Sequence, residues 1–400
     1  MKYDTIAPDV KYIGVDDLDI DLFEGQYDVP LGVSYNSYLI DDEKVAIMDT
    51  VDATNTAEWE KNLEKALGGK TPDYLIVQHL EPDHGGSVQF IMEKYPNMIA
   101  VCSQKAVAMF KRFFEADFSA RIQVVKEGET LSLGEHTLQF FMVPMIHWPE
   151  VMMTYDKVDK ILFSADAFGT FGALNGNIYA DEVNFDRDWL DDARRYYINI
   201  VGQYGVQVQN VLKKASALDI QMICPLHGPV WREDLGYFIG KHDVWSSYKA
   251  EEKGVLVIYG SIYGHTGSAA EKMASVLASH GVKGIAMYDA SHTDASQLVA
   301  ECFRYSHLVL ASSTYNAGIF TPIENLLHDL KAHSWQNRTV AIIENGTWAA
   351  QSGKAMRTIL EEMKNITILG EDLSLKSAMK DSQVEDLEFL ANLIVANLDN

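Results

Sequence analysis

The chain has 400 residues, 47% of them hydrophobic and 22% charged, with a formal net charge of −24. That length provides for two or three domains with sizeable cores, and the balance is that of an ordinary globular protein. The acidic surplus argues against nucleic acid and anionic membranes as partners, and no run of about eighteen apolar residues is present to cross a bilayer.

In chain order, Met1-Lys-Tyr-Asp-Thr5 opens without the apolar segment of a secretory signal. Thr56–Leu67 carries apolar residues at helical spacing. The apolar run of residues 74–78 has strand length and leads directly into His79-Leu-Glu81-Pro-Asp83-His84. Four metal-ligating side chains are therefore expected in the loop leaving a buried strand. Residues 86–94 and 103–114 again show helical spacing, and 122–126, 138–143, 151–155 and 160–164 predict strands. A long helical region is expected over roughly residues 188–217, before a last apolar run at 220–226. This order fits a two-sheet sandwich flanked by helices.

Three further ligand types follow these strands: His147, Asp166 and His227. Four histidines and three carboxylates exceed one tetrahedral site and suit two metal ions. Gly85-Gly86 would give the His84 end of its loop freedom, so that the imidazole could swing out and be replaced by water. Trp148, Phe168 and Phe171 sit beside ligand candidates and would form a dry wall. The remaining histidines outside the loops lack such a setting and are read as surface or core residues. The three cysteines, Cys102, Cys224 and Cys302, are widely separated with no CxxC pair. A disulfide framework is not expected, and a cytoplasmic location is.

Near residues 250–254 the grammar changes. Residues 255–259, 284–288, 307–311, 339–343 and 366–369 predict five short buried strands, with helices between them such as 267–280 and 322–332. Regular alternation implies a parallel sheet covered on both faces. Ser261, Ile262, Tyr263, Gly264, His265 and Thr266 leave the first strand and open a helix, where backbone amides can approach a phosphate monoester. The lysine of a Walker loop is missing, and so is a GxGxxG fingerprint. Ser313-Thr314-Tyr315-Asn316-Ala317-Gly318 and Asn345-Gly346-Thr347-Trp348 follow strands three and four, at the same sheet edge. Tyr315 and Trp348 would contact a ring.

The first loop resembles the HxHxDH signature of the metallo-β-lactamase superfamily, with Glu81 in place of the second histidine. A hard anionic oxygen there favours iron over zinc. The second resembles the flavodoxin phosphate loop, in which hydroxyl residues and a closing Thr266 hold the phosphate of FMN. Together the halves resemble a two-domain flavodiiron protein. The resemblance implies an N-terminal αββα metallo-β-lactamase-like sandwich over residues 1–250. It implies a C-terminal flavodoxin-like, doubly wound five-stranded parallel sheet over residues 251–400.

It also implies FMN and a non-haem diiron site. His79, Glu81 and His147 would hold one iron, Asp83, His84 and His227 the other, and Asp166 would bridge them. The implied activity is reduction of dioxygen to water, of nitric oxide to nitrous oxide, or both. A head-to-tail homodimer, or a dimer of dimers, would place each FMN beside the partner's irons. The chain ends at Asn400 without a rubredoxin module, so an external donor is expected: rubredoxin, or reduced coenzyme F420 in an archaeal host. Two rival readings are a zinc or manganese hydrolase fused to a flavodoxin and a pure electron carrier. Glu81 opposes the first, and seven filled ligand positions oppose the second.

Overall fold

The computed structural model describes residues 5–399, so the first four residues of the opening stretch read above, and Asn400, lie outside it. The chain divides into two compact units, Met1–Asp243 and Val244–Asn400.

The first unit contains two main sheets. One runs in the order Thr5–Ala7, Val10–Tyr12, Tyr38–Asp41, Val45–Met48, Tyr74–Val77, Ile99–Ser103, Ile122–Val125. Its last three pairings are parallel. The second runs Thr130–Ser132, Thr137–Met142, Met152–Asp156, Ile161–Phe163, Met222–Cys224 and closes on a parallel pair. Val45–Met48 is buried at all four positions, as a strand covered on both faces must be. The sheets meet where the Tyr38 ring packs at 5.4 Å on Phe163. The Tyr38 hydroxyl donates to the Pro225 carbonyl at 2.7 Å, which satisfies its polar end inside the core.

Two expectations are corrected here. The continuous helix over 188–217 is broken into Leu190–Tyr196, a wide π turn at Tyr197–Val201, a tight 3-10 turn at Gly202–Tyr204, and Gly205–Ala215. Glycines at 202 and 205 weaken the helix at the break. The helix expected from residue 103 begins at Ala106, because Ser103 completes a strand and its hydroxyl donates to the Glu150 carbonyl. The strands at residues 38–41, 45–48 and 99–103 were not singled out in the sequence. They are four or five residues long, too short for periodicity to distinguish.

His136, Asp156 and Asp159 form a third group of metal-ligating types, but their hydrogen bonds are those of a turn. Asp156 accepts from the backbone amides of Val158 and Asp159 and from His136 Nδ1 at 2.9 Å. Burial disfavours charge on His136, yet Asp156, with Asp159 and Asp42, raises its pKa above the usual imidazole value. A raised folded-state pKa contributes stability below about pH 6.5 that is lost as pH rises through the folded value. The wild type should therefore lose this stability in urea unfolding as pH rises above about 6.5. Asp156→Asn should abolish that increment; an unchanged pH profile in the variant would refute the assignment.

The second unit is a parallel sheet in the order Ile285–Asp289, Glu252–Gly260, Tyr305–Tyr315, Arg338–Asn345, Ile366–Ile368. This is the doubly wound 2-1-3-4-5 arrangement. The fifth strand is split: Ile366–Ile368 pairs with residues 338–340, and Leu373–Leu375 resumes beside residues 343–345. Val255, Val257, Val309 and Ile343 pack with Met273 and Leu277 of the helix His265–Ser279 and with Leu390 and Ile394 of Val384–Leu398. Each such buried aliphatic side chain contributes about 1.5–3 kcal/mol.

Candidate functional site

All seven residues selected as ligands converge in the first unit. His79, Glu81, His147 and Asp166 form one group, and Asp83, His84 and His227 another. Pro82 starts a single helical turn, Pro82–Gly85, that carries Asp83 and His84, so half of the expected loop is helical. Proline suits that first position because its missing N–H would have had no partner. His79 Nε2 lies 3.1 Å from Glu81 Oε2 and 3.3 Å from Asp166 Oδ2. His147 Nε2 lies 2.8 Å from the same Glu81 oxygen and 3.2 Å from Asp166 Oδ2. Across the site, Asp166 Oδ1 lies 3.3 Å from His84 Nε2 and 3.9 Å from His227 Nε2. Asp83 Oδ2 is 3.2 Å and 3.1 Å from those two nitrogens. Asp166 therefore presents one oxygen to each group.

The hydrogen bonds behind the ligands decide what the cluster can hold. His79 Nδ1 faces Glu150 Oε1 at 2.8 Å, and His227 Nδ1 faces the Ser34 carbonyl at 2.8 Å. A carboxylate and a carbonyl only accept, so both Nδ1 atoms carry hydrogen. In the neutral rings Nε2 is then a lone pair aimed at carboxylate oxygens, and His84 and His227 bring two Nε2 atoms to 3.0 Å of each other. Asp83 Oδ1, Oδ2 and Asp166 Oδ1 are buried without a hydrogen-bond partner. Lone pairs crowded against lone pairs need cations between them. Nitrogen and oxygen donors without thiolate suit iron, manganese or zinc, and the residues present fit a pair of such ions.

The pKa pattern shows the same demand. Burial opposes charge on the imidazoles, but Asp166, Asp83 and Glu81 overcome it. His79 is held well above its ordinary value, His84 is raised to about 10 and His147 to about 9. Against the desolvation that burial imposes, these rings hold Asp166, Asp83 and Glu81 below the usual carboxylate range. At the rim, desolvation and the charge of Glu81 push the Glu24 carboxyl up to about 7.

Gly85 and Gly86 pack closely against neighbouring backbone. A Cβ at Gly86 would lie 2.5 Å from the Ala53 nitrogen and 2.6 Å from the Pro82 oxygen, so glycine here permits close packing. His84 is fully buried, and the Thr50 hydroxyl donates to its carbonyl. Gly228, at φ +74, is fixed by a different constraint: a Cβ would sit 2.0 Å from Thr170 Cγ2. Asp49, Met145, Ala165 and Phe168, none of them glycine, also adopt positive φ beside the ligand segments. Strain of this kind concentrates at functional sites.

Of the expected aromatic wall, Trp148 packs 5.5 Å from the His79 ring, while Phe168 lies against His242 and Phe171 against Tyr196. Sequence reading missed Phe23, Tyr35 and Tyr196, whose rings surround His227 at 5.5–5.9 Å. It also missed Glu150, and Asp49, which accepts from Gln78 N at 2.7 Å and Gln78 Nε2 at 2.8 Å. Burial raises the Asp49 carboxyl to about 6. The available signal for Glu150 was a carboxylate three residues after His147, since ligating histidines need an acceptor behind them.

The second unit has an open cavity of 770 Å³ at the carboxyl edge of its sheet. It is lined by Ser261, Ile262, Tyr263, His265, Thr266, Ser313, Thr314, Tyr315, Asn316, Ala317, Asn345, Gly346, Thr347 and Trp348. Gly264 and Gly318 do not line it. Gly264 turns the chain into the helix at φ +90, and Gly318 pairs with Tyr315 in a short hairpin. Ser377, Ala349 and Gln351 join the lining unforeseen. Ser377 follows the resumed half of the split strand, which the sequence did not reveal. The volume suits a mononucleotide cofactor, and a flavodoxin-like domain of this kind indicates FMN. Its walls offer hydroxyls and a fifteen-residue helix N-terminus for the phosphate. Tyr263 and Trp348, 91% and 93% exposed, offer ring faces.

Asn345 holds two of these loops together. Its Nδ2 donates to Thr266 Oγ1 at 3.2 Å and to the Ser377 carbonyl at 2.9 Å, and its Oδ1 accepts from Ser377 N at 2.9 Å. Asn345→Ala should weaken FMN binding by about tenfold, the equivalent of one net hydrogen bond to a loop that must stay in place. Flavin fluorescence titration checks this; unchanged affinity would remove Asn345 from the site.

Residues 33–228 match the family described as ODP family beta lactamase, and residues 257–367 match Flavodoxin. The rubredoxin-oxygen oxidoreductase of Megalodesulfovibrio gigas is 31% identical over 388 residues, covering 94% of this chain and 93% of that protein. The anaerobic nitric oxide reductase flavorubredoxin of Vibrio vulnificus is 28% identical over 351 residues, covering 86% of this chain and 70% of its own. The structure of rubredoxin oxygen:oxidoreductase from Desulfovibrio gigas superposes with a TM-score of 0.93 at 27% identity, covering 100% of this chain and 99% of that one. Two ligand groups sharing an aspartate, a flavodoxin-like unit behind them in the chain, and full-length similarity of this degree lead to one conclusion: this chain belongs to the flavodiiron protein family.

Proposed function

We propose that the protein is a cytoplasmic flavodiiron oxidoreductase that reduces dioxygen to water, nitric oxide to nitrous oxide, or both. The observation that carries the reading is the convergence of four imidazoles and three carboxylates into two groups on either side of Asp166. Residues 1–250 would hold two irons, through His79, Glu81 and His147 on one side and Asp83, His84 and His227 on the other. Residues 251–400 would hold FMN.

Loaded with two ferrous ions and reduced flavin, such a protein carries the four electrons that take dioxygen to two waters. The chain's own residues prepare the site. Glu150 and the Ser34 carbonyl set the histidine tautomers, so that Nε2 faces inward. Phe23, Tyr35, Tyr196 and Trp148 exclude water from the ligands.

We infer a head-to-tail homodimer, alone or paired into a tetramer, in which each flavin serves the partner's irons. Support comes from exposed apolar surface: Tyr263 and Trp348 stand out at the flavin cavity, and Leu22 is exposed next to Phe23, whose ring packs on His227. Electrons would arrive from rubredoxin, or from reduced coenzyme F420 in an archaeal host. Metal analysis and anaerobic reduction, followed by separate dioxygen and nitric oxide consumption assays, test the activity. About two irons per chain and turnover of either gas are expected; zinc with thioester hydrolysis would refute it. Full oxidase activity in monomeric protein would refute the dimer.

A further inference from the structure

Two small voids border the helix Gly205–Ala215, the outer one against the second sheet. The inner void is lined by Phe168, Val208 and Val211 together with Asp166, Tyr196, Tyr197 and His242. The outer is bounded by Phe141, Val143, Leu162, Val211, Ala215 and Lys214. Val211 lines both. Each has about 10 Å³ of free volume, room for one water-sized molecule.

The surface exposed inside them is almost wholly apolar. A water needs two to four polar partners to settle in such a space. A small uncharged diatomic molecule needs none. The inner void is lined by Asp166, whose carboxylate faces both ligand groups, and by Tyr197 and Val201 of the π turn Tyr197–Val201. Such turns are rare and recur at functional sites. At the outer end, Lys214 lies at the surface, its Nζ donating to Glu127 Oε1 at 2.8 Å and to the Met142 carbonyl at 3.2 Å.

We propose that the two voids are consecutive chambers of an apolar path by which a diatomic gas, dioxygen or nitric oxide, passes Val211 to reach Asp166. The inference rests on the reading of the metal centre given above and adds the route of its substrate. Motions that carry the gas between chambers are rotations of the Val211 side chain, fast on the timescale of turnover.

The test uses iron- and FMN-replete holoenzyme. Val211→Phe fills the passage without touching a ligand. At limiting dioxygen, kcat/KM should fall severalfold while kcat at saturation, iron content and flavin content stay at wild-type values. An unchanged kcat/KM would overturn the path. Crystals of the wild type under krypton pressure supply a second measurement, independent of whether the variant folds. Krypton beside Phe168 and beside Leu162 is expected, and its absence from both voids would overturn the path. Iron-loaded wild-type enzyme that consumes neither gas would instead overturn the functional reading, an outcome separate from where krypton binds.

Discussion

Replacing Asp166 with alanine should reduce bound iron from about two per chain to one or fewer and abolish consumption of both gases, with FMN retained. Among the described residues Asp166 reaches both groups, with oxygens 3.2–3.3 Å from His79, His147 and His84. Changes behind metal ligands lose about 10–100-fold in affinity, and loss of the shared carboxylate should exceed that. Retention of near-normal iron would sink the assignment. Bound flavin serves as the folding control for the second unit.

The same variant has a pH signature in the metal-free protein. Asp166 is held well below its ordinary pKa, so its contribution is present above about pH 4 and lost as pH falls through the depressed value. His84 and His147 are raised to about 10 and about 9, so theirs is present below about pH 6.5 and lost as pH rises through those values. Asp166→Ala should therefore destabilise the metal-free protein most between these limits, where carboxylate and imidazoles are both charged. Breaking a buried pair costs about 3–5 kcal/mol. Urea midpoints across the range measure it, and a pH-independent difference would argue against the paired charges.

The second large effect is expected at Glu150. It is buried and accepts from His79 Nδ1 at 2.8 Å and from the Leu80 amide at 3.1 Å. Glu150→Ala leaves the imidazole free to turn or to change tautomer, and iron affinity should fall by about 10–100-fold. Glu150→Gln keeps an acceptor at the same place and should recover most of that loss. Equal losses in both variants would show that Glu150 acts by filling space.

Much of this centre was legible in the linear chain. His79, Glu81, Asp83 and His84 are adjacent, and an apolar run announces the strand they leave. The alternation of short strands and helices after residue 250 likewise declares a parallel sheet, because only buried strands read as continuous apolar runs. Boundaries were less legible. The helix expected over 188–217 has good local spacing throughout, yet the chain widens it at Tyr197–Val201, where Tyr197 and Val201 border the inner void beside Asp166. Packing overrides propensity there. The fifth flavodoxin strand was read as one segment because residues 366–369 are apolar, while its continuation at Leu373–Leu375 is too short to signal itself.

The sequence by itself determined the donor types, their order and the pairing of a metal domain with a flavin domain, since these are properties of residue chemistry and local period. Tertiary structure decided the rest. It placed one oxygen of Asp166 on each side, gave His79 and His227 inward-facing Nε2 atoms through Glu150 and Ser34, and packed Gly86 against Ala53 beside a buried His84. Those contacts join residues up to 193 positions apart. Only the folded backbone brings such groups together, and the entropy of closing those loops is recovered by packing that no local pattern records.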